Sequence, residues 1–276
     1  VLVCSPTPTH AELTEAAARA GKHVFCEKPV DLDPKRIGRT LTAVEAAGVK
    51  LQVGFNRRFD PTFARLRQAV VDGEVGDVHL VKIVARDPSP PPIDYVSASG
   101  GIFLDMTIHD FDMVRFLSGS EVEEVQAFGA VLVDPAIGEA GDVDTAVVIL
   151  KLASGALAVI ENSRQAVFGY DQRVEVFGSK GGVEAFNESP CQVRLRTAAG
   201  VRAENPLYFF LERYQRSFVA ELEAFFASIR DDRDPPVTGR DGLIPVLIGM
   251  AAQQSMLDNR PVRIEKPTPP PSAAAQ

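Results

Sequence analysis

The first 54 residues read VLVCSPTPTHAELTEAAARAGKHVFCEKPVDLDPKRIGRTLTAVEAAGVKLQVG, and apolar runs of strand length alternate in them with stretches of helical spacing. Val1 to Cys4 is a short buried-strand run. Thr9 to Ala20 is alanine-rich with helical spacing, with Thr9 placed to cap it and Gly21 just past its end. His23 to Cys26 predicts a second strand, Asp33-Pro34 opens a helix that ends at Gly48, and Lys50 to Val53 predicts a third strand. Strands alternating with helices of this length predict an α/β unit with a parallel, doubly wound sheet. Ligands of such sheets sit at the carboxyl ends of the strands. The loops of interest are therefore Ser5 to His10, Glu27 to Pro29 and Gly54 to Arg58.

From about Val78 the pattern changes. Segments 78–86, 123–133, 143–151, 156–163, 172–177, 182–186 and 192–196 are rich in Val, Leu, Ile and Phe and are separated by Gly, Asp or Ser turns. They predict an α+β region with a large, mostly antiparallel sheet. Amphipathic helices are expected at Met106 to Leu117, Glu212 to Ile229 and Leu243 to Leu257. Residues 267–276 are rich in Pro, Ala and Ser without apolar periodicity and read as a disordered tail. The expected division is 1–55, 56–266 and that tail, with the 243–258 helix near the border of the first two.

The chain has 276 residues, 45% hydrophobic and 24% charged, the proportions of an ordinary globular protein. Asp and Glu number 37 against 29 Lys and Arg, a formal charge of -8. That balance offers no electrostatic attraction for nucleic acid or an anionic membrane. No apolar run approaches the ~20 residues of a spanning helix. The cysteines, Cys4, Cys26 and Cys191, are odd in number and widely spaced, which points to a reducing compartment and so to the cytoplasm.

The chemistry-bearing stretch is GGIFLDMTIHDFD at 100–112. Asp105 and His109 are i and i+4, which puts them on one face at a helix start, where a carboxylate can orient an imidazole and the imidazole can take a proton near neutral pH. The competing reading makes Asp105 a cap and His109 a core or surface histidine. Asp and His at this spacing are also two metal ligands in principle, but no third lies at suitable spacing, so no metal is expected. Lys28, in Glu27-Lys28-Pro29 after a parallel strand, is placed to point its ammonium into the ligand crevice, unless it is a solvated turn lysine. The Ser5-Pro6-Thr7-Pro8-Thr9-His10 loop ends the preceding strand, where an ordinary capped turn would also explain it.

Taken in order, SPTPTH at 5–10, EKP at 27–29, GFNRRFDP at 54–61, GGIFLDMTIHDFDMVRFL at 100–117 and NSRQAVFGYDQRVEVFGSKGG at 162–182 resemble the Gfo/Idh/MocA family of nicotinamide-dependent oxidoreductases, and within it the inositol 2-dehydrogenases. The resemblance implies a partial Rossmann-like sheet followed by the α+β domain. It implies NAD as cofactor, with NADP not excluded, and myo-inositol or a related cyclic polyol as substrate. Lys28, Asp105 and His109 become the catalytic set, with His109 as proton acceptor. Ser5, Pro6, Thr7, His10, Glu27 and Lys28 become cofactor-binding, and Asn56, Arg57, Asp87 and Tyr170 substrate-binding. Another sugar or polyol dehydrogenase of the family, or a non-enzymatic sugar-binding or regulatory homologue, is the alternative. A homo-oligomer formed through the outer face of the large sheet, which carries Val147 and Ile149, is expected.

The family's Gly-rich phosphate loop, G-x-G-x-x-G, is missing: no two glycines of this chain are separated by one residue. The chain resembles a member lacking its first two βαβ units, roughly 60–70 residues. The expectation is therefore a fragment or amino-terminally truncated gene, inactive as it stands.

Overall fold

The computed structural model describes residues 1–264, and the tail reading at 267–276 lies outside them. The first unit runs β1 (Leu2–Val3), α1 (His10–Arg19), β2 (Val24–Glu27), α2 (Pro34–Ala46) and β3 (Leu51–Gly54). The strands form a parallel sheet in the order β1-β2-β3. Asp33 caps α2 by accepting from Lys35 N at 2.9 Å, and Pro34 supplies the preset first turn. Thr9 does not cap α1 as expected. A 3₁₀ turn at Thr7–Thr9 precedes the helix, and the Thr9 hydroxyl is spent on Pro6 O and on Ser5 Oγ.

The second unit continues α3 (Pro61–Val71), β4 (Val78–Arg86), α4 (Ile93–Ala98), α5 (Ile102–Asp105), α6 (Ile108–Ser118), β5 (Val122–Ala130), α7 (Pro135–Glu139), β6 (Thr145–Leu152), β7 (Leu157–Ser163), β8 (Asp171–Gly178) and β9 (Gly181–Ala185). Then come β10 (Arg194–Thr197), β11 (Gly200–Ala203), α8 (Phe210–Arg213), α9 (Gln215–Arg230), α10 (Gly239–Asp258) and β12 (Val262–Arg263). The large sheet is seven-stranded, β12-β5-β6-β7-β4-β8-β9. It is antiparallel except where β4 runs parallel to β7. The 192–196 segment does not join it: β10 pairs with β11 in a separate hairpin, exposed at every position.

Side chains alternate across the large sheet as its period of two requires. Val125, Ala127, Val148, Leu150, Ile160, Ile83 and Val176 face the helices and form the main core. A second core gathers Val24, Cys26, Ile37 and Val53 of the parallel sheet with Leu104, Ile108 and Val246 from α5, α6 and α10. Helix α10 thus sits between the two cores. It begins at Gly239 rather than Leu243 because Thr238 and Asp241 make a capping box, each side chain serving the other's backbone N–H.

Among the described residues no helix is long and apolar enough to cross a membrane, and no group of three His, Cys, Asp or Glu side chains is placed to hold a metal ion.

Candidate active site

The three strand-end loops meet. His10, almost fully buried, places Nδ1 2.8 Å from Pro29 O and Nε2 2.6 Å from Ser5 O, tying the first loop to the second. Glu27 is paired with Gly54 in the β2–β3 register and folds its carboxylate over it, where a Cβ would come within 2.8 Å. Burial pushes the Glu27 carboxyl up, against the neighbouring Lys28, whose backbone N–H it accepts at 3.3 Å. Pro6 is exposed and Thr7 half-buried on the same rim.

From this rim Lys28 reaches across to the second unit. Its Nζ donates to Asp105 O at 2.8 Å and lies 3.5 Å from Asp105 Oδ1. The Asp105 carboxylate also accepts from Tyr95 Oη at 2.7 Å and from Arg164 Nη1 at 2.8 Å. Burial acts against its charge, but Lys28 and then Arg164 outweigh it, and the carboxyl is held below its usual range.

One expectation fails here. Asp105 and His109 are not on one helix: α5 ends at Asp105 and α6 starts at Ile108. Asp105 therefore does not orient the imidazole, and its oxygens go to Tyr95, Arg164 and Lys28. His109 packs edge-on against Phe55, with ring centroids 5.9 Å apart. Its Nδ1 is buried without a hydrogen-bond partner among the described residues. Burial, then Lys28 and Arg57, push the imidazole well below its ordinary pKa, which leaves it neutral at physiological pH.

The residues expected at a polyol fare unevenly. Asp87 follows β4, and burial pushes its carboxyl up to about 6 against the pull of Arg164. Asn56 is buried in the third loop. Arg57 is committed elsewhere: its Nη1 donates to Asp110 at 2.6 Å, and Asp110 also accepts from Asn162 Nδ2 at 2.8 Å. Tyr170 is packed into the core, edge-on to Phe209 and Tyr214, rather than forming a movable cover. Tyr95, Arg164 and Asp110 were missed by the sequence reading. Asp110 had a visible partner signal, because GFNRRFDP supplies Arg57 and Arg58 where DFD supplies Asp110 and Asp112, and the structure pairs them in that order.

Parallel strand ends, a half-buried neutral imidazole and a lysine braced on a carboxylate are the parts of a Rossmann-type oxidoreductase. Residues 1–55 match the oxidoreductase family with NAD-binding Rossmann fold, and residues 63–184 match the GFO/IDH/MocA C-terminal domain. A myo-inositol 2-dehydrogenase of Thermotoga maritima is 54% identical over 96% of this chain and 80% of that protein. The structure of a myo-inositol dehydrogenase from Corynebacterium glutamicum is 40% identical with a TM-score of 0.92, covering 96% of this chain and 80% of that one. A scyllo-inositol dehydrogenase from Lactobacillus casei, solved with NAD(H) and scyllo-inositol, is 32% identical with a TM-score of 0.89, covering 96% of this chain and 79% of that one. The chain belongs to the Gfo/Idh/MocA family of oxidoreductases.

Proposed function

We propose that this chain carries the catalytic site of an NAD-dependent dehydrogenase that oxidises a secondary alcohol of myo-inositol or a related cyclic polyol. The observation that carries the reading is the convergence of Lys28, Asp105 and the neutral His109 at the carboxyl ends of the parallel strands. The relatives described above act on inositols by name.

The residues present fit the nicotinamide end of the cofactor: the Ser5–His10 and Glu27–Lys28 loops form one joined rim, and His109 beside it keeps a buried nitrogen without a partner among the described residues. When bound, NAD supplies the hydride acceptor. His109, uncharged, takes the hydroxyl proton. Lys28 stabilises the negative charge that develops on that oxygen, and Asp105 holds the Lys28 ammonium in place through its carbonyl and carboxylate. Asp87 and Asn56 are the acceptors and donors for further hydroxyls.

The dinucleotide-binding part is 1–55 and the substrate-binding part 56–266 in this reading. The free thiols Cys4, Cys26 and Cys191 suit the cytoplasm. Val147 and Ile149 are exposed on the sheet face away from the helices, in cross-strand register with Phe128 on β5 and Val159 on β7, which supports assembly with a second copy through that face.

The test joins residues 1–276 to the phosphate-binding βαβ unit of the Thermotoga maritima relative and follows NAD reduction. Oxidation of myo-inositol in preference to glucose and linear polyols is expected, with little NAD binding by the unjoined 276 residues, which contain no G-x-G-x-x-G. An aldose or open-chain preference would sink the substrate assignment, and micromolar NAD affinity in the unjoined chain would sink the argument from the missing loop.

A further inference from the structure

Arg164, on the segment that follows β7, is among the largest fully buried side chains of the protein, and nothing in the proposed reaction uses it. Its guanidinium is a fork with unequal prongs. Nη1 donates to Asp105 Oδ2 at 2.8 Å, while Nη2 faces Asp142 Oδ2 at 3.8 Å, an ion-pair contact without a hydrogen bond that leaves both atoms otherwise unpartnered among the described residues. Asp142, from the turn between α7 and β6, turns its other oxygen to α5, where Oδ1 accepts from Ile102 N at 3.1 Å. The four-residue helix that carries Asp105 is thus held at both ends by one ion pair. Asp142 holds its first amide, and Arg164 holds its last side chain.

The backbone shows how closely this brace fits. Gly101 precedes α5 at φ +81°, and a Cβ there would stand 2.8 Å from Asp142 Oδ1. A glycine is required both by the left-handed conformation and by the approach of the carboxylate. Four residues are too few to hold a helix by their own hydrogen bonds, so the position of Asp105 has to come from outside the segment.

We propose that Arg164 and Asp142 form a positioning brace that fixes α5 and presents the Asp105 carboxylate to Lys28. The inference rests on the dehydrogenase reading only for what Asp105 and Lys28 are used for. The groups facing the Asp105 carboxylate are Lys28 from the loop after β2, Tyr95 from α4 and Arg164 itself, with Asp87 from the end of β4 nearby. Arg164 removal takes one of two cations from it.

Two measurements test the brace. In the 276-residue chain, hydrogen exchange across residues 99–107 should quicken at least about tenfold in Arg164→Gln and in Asp142→Asn, with the β4–β7 ladder unchanged. In the joined enzyme, Arg164→Gln should lower kcat about 10- to 100-fold and move the acid limb of kcat upward by about one pH unit. The shift should persist in an Asp87→Asn background, and Arg164→Lys, which keeps the charge, should keep the acid limb near its original position. Unchanged exchange at 99–107 in both variants, or a kcat loss in Arg164→Gln with no movement of the acid limb, would overturn the proposal. Quickened exchange in a protein whose unsubstituted form oxidises no polyol would uphold the brace and reject the dehydrogenase reading instead.

Discussion

Two clusters of charge flank His109, and they differ in one respect that separates structure from chemistry. On one side Arg57 and Asp110 pair at 2.6 Å with side chains 6% and 0% exposed, and Asn162 bonds the second carboxylate oxygen. That cluster is closed, one cation to one anion. On the other side the Asp105 carboxylate accepts from Arg164 and Tyr95 and has Lys28 3.5 Å away, and the side chains of Lys28 and Asp105 keep 17% and 11% exposure. Arg164 is matched by Asp142, so the charges balance, but the Lys28 ammonium stays partly open, where an oxygen losing its proton would meet it. Burial and ion pairing alone do not mark an active site. A partly open cluster beside a neutral base does.

The largest effect should come from breaking the closed cluster. Asp110→Ala leaves Arg57 buried without its anion, and loss of about 3–5 kcal/mol of stability is expected by denaturant titration. A drop under about 1 kcal/mol would mean that the pair is solvated and that the contrast between the two clusters does not hold.

Breaking the open cluster should leave the fold and remove the chemistry. In the joined enzyme, Lys28→Ala and His109→Ala should each reduce kcat/KM on inositol at least about 100-fold, equivalent to about 2.7 kcal/mol in the transition state. Circular dichroism and thermal midpoint should stay near those of the unsubstituted protein. Near-normal turnover in either variant would show that the proton acceptor or the alkoxide stabiliser lies elsewhere.

Most of the fold was legible because its signals are local. The β4 limits of 78–86 follow from a Val, Ile and Leu-rich run interrupted only at His79 and Lys82 before Arg86, and α2 begins at the Asp33-Pro34 cap. What escaped depends on distance in the chain. The break between α5 and α6 is invisible in a helix-like pattern, and the partner of the buried Thr107 hydroxyl at the break is Asn162, 55 residues away. The hairpin β10–β11 looked like sheet sequence because its residues have strand character, and nothing in the local pattern says which strand they join. The site was half legible for the same reason. Lys28 and His109 sit where strand ends and helix starts place them. Tyr95 and Arg164 reach Asp105 only through tertiary packing, and Arg57, read as facing a polyol, found Asp110 first.

A third carboxyl extends the comparison to the case of no cation at all. Glu221 on α9 is 1% exposed, and its Oε2 has no partner among the described residues. Burial, and then the nearby Glu27, push it up to about 9. Between its ordinary value and about 9 the folded protein holds a proton that the unfolded chain releases, so stability falls as pH rises through that window. Asp87 acts in the same direction but has finished titrating above about 6. His109 acts in the opposite direction, since its depressed folded pKa makes stability rise with pH only up to the unfolded value of about 6.5. Between pH 7 and 9 the buried Cys26 thiol, pushed up to about 12, acts in the same direction, but it does so alike with and without Glu221, so the difference between the two proteins reports Glu221. Glu221→Gln, which carries no charge at any pH, should flatten the decline of the thermal midpoint there, gaining roughly 4–8 °C on the unsubstituted protein at pH 9 relative to pH 7. Parallel midpoint curves for the two proteins across that range would show that Glu221 is ionised in the fold and has found a positive partner or water.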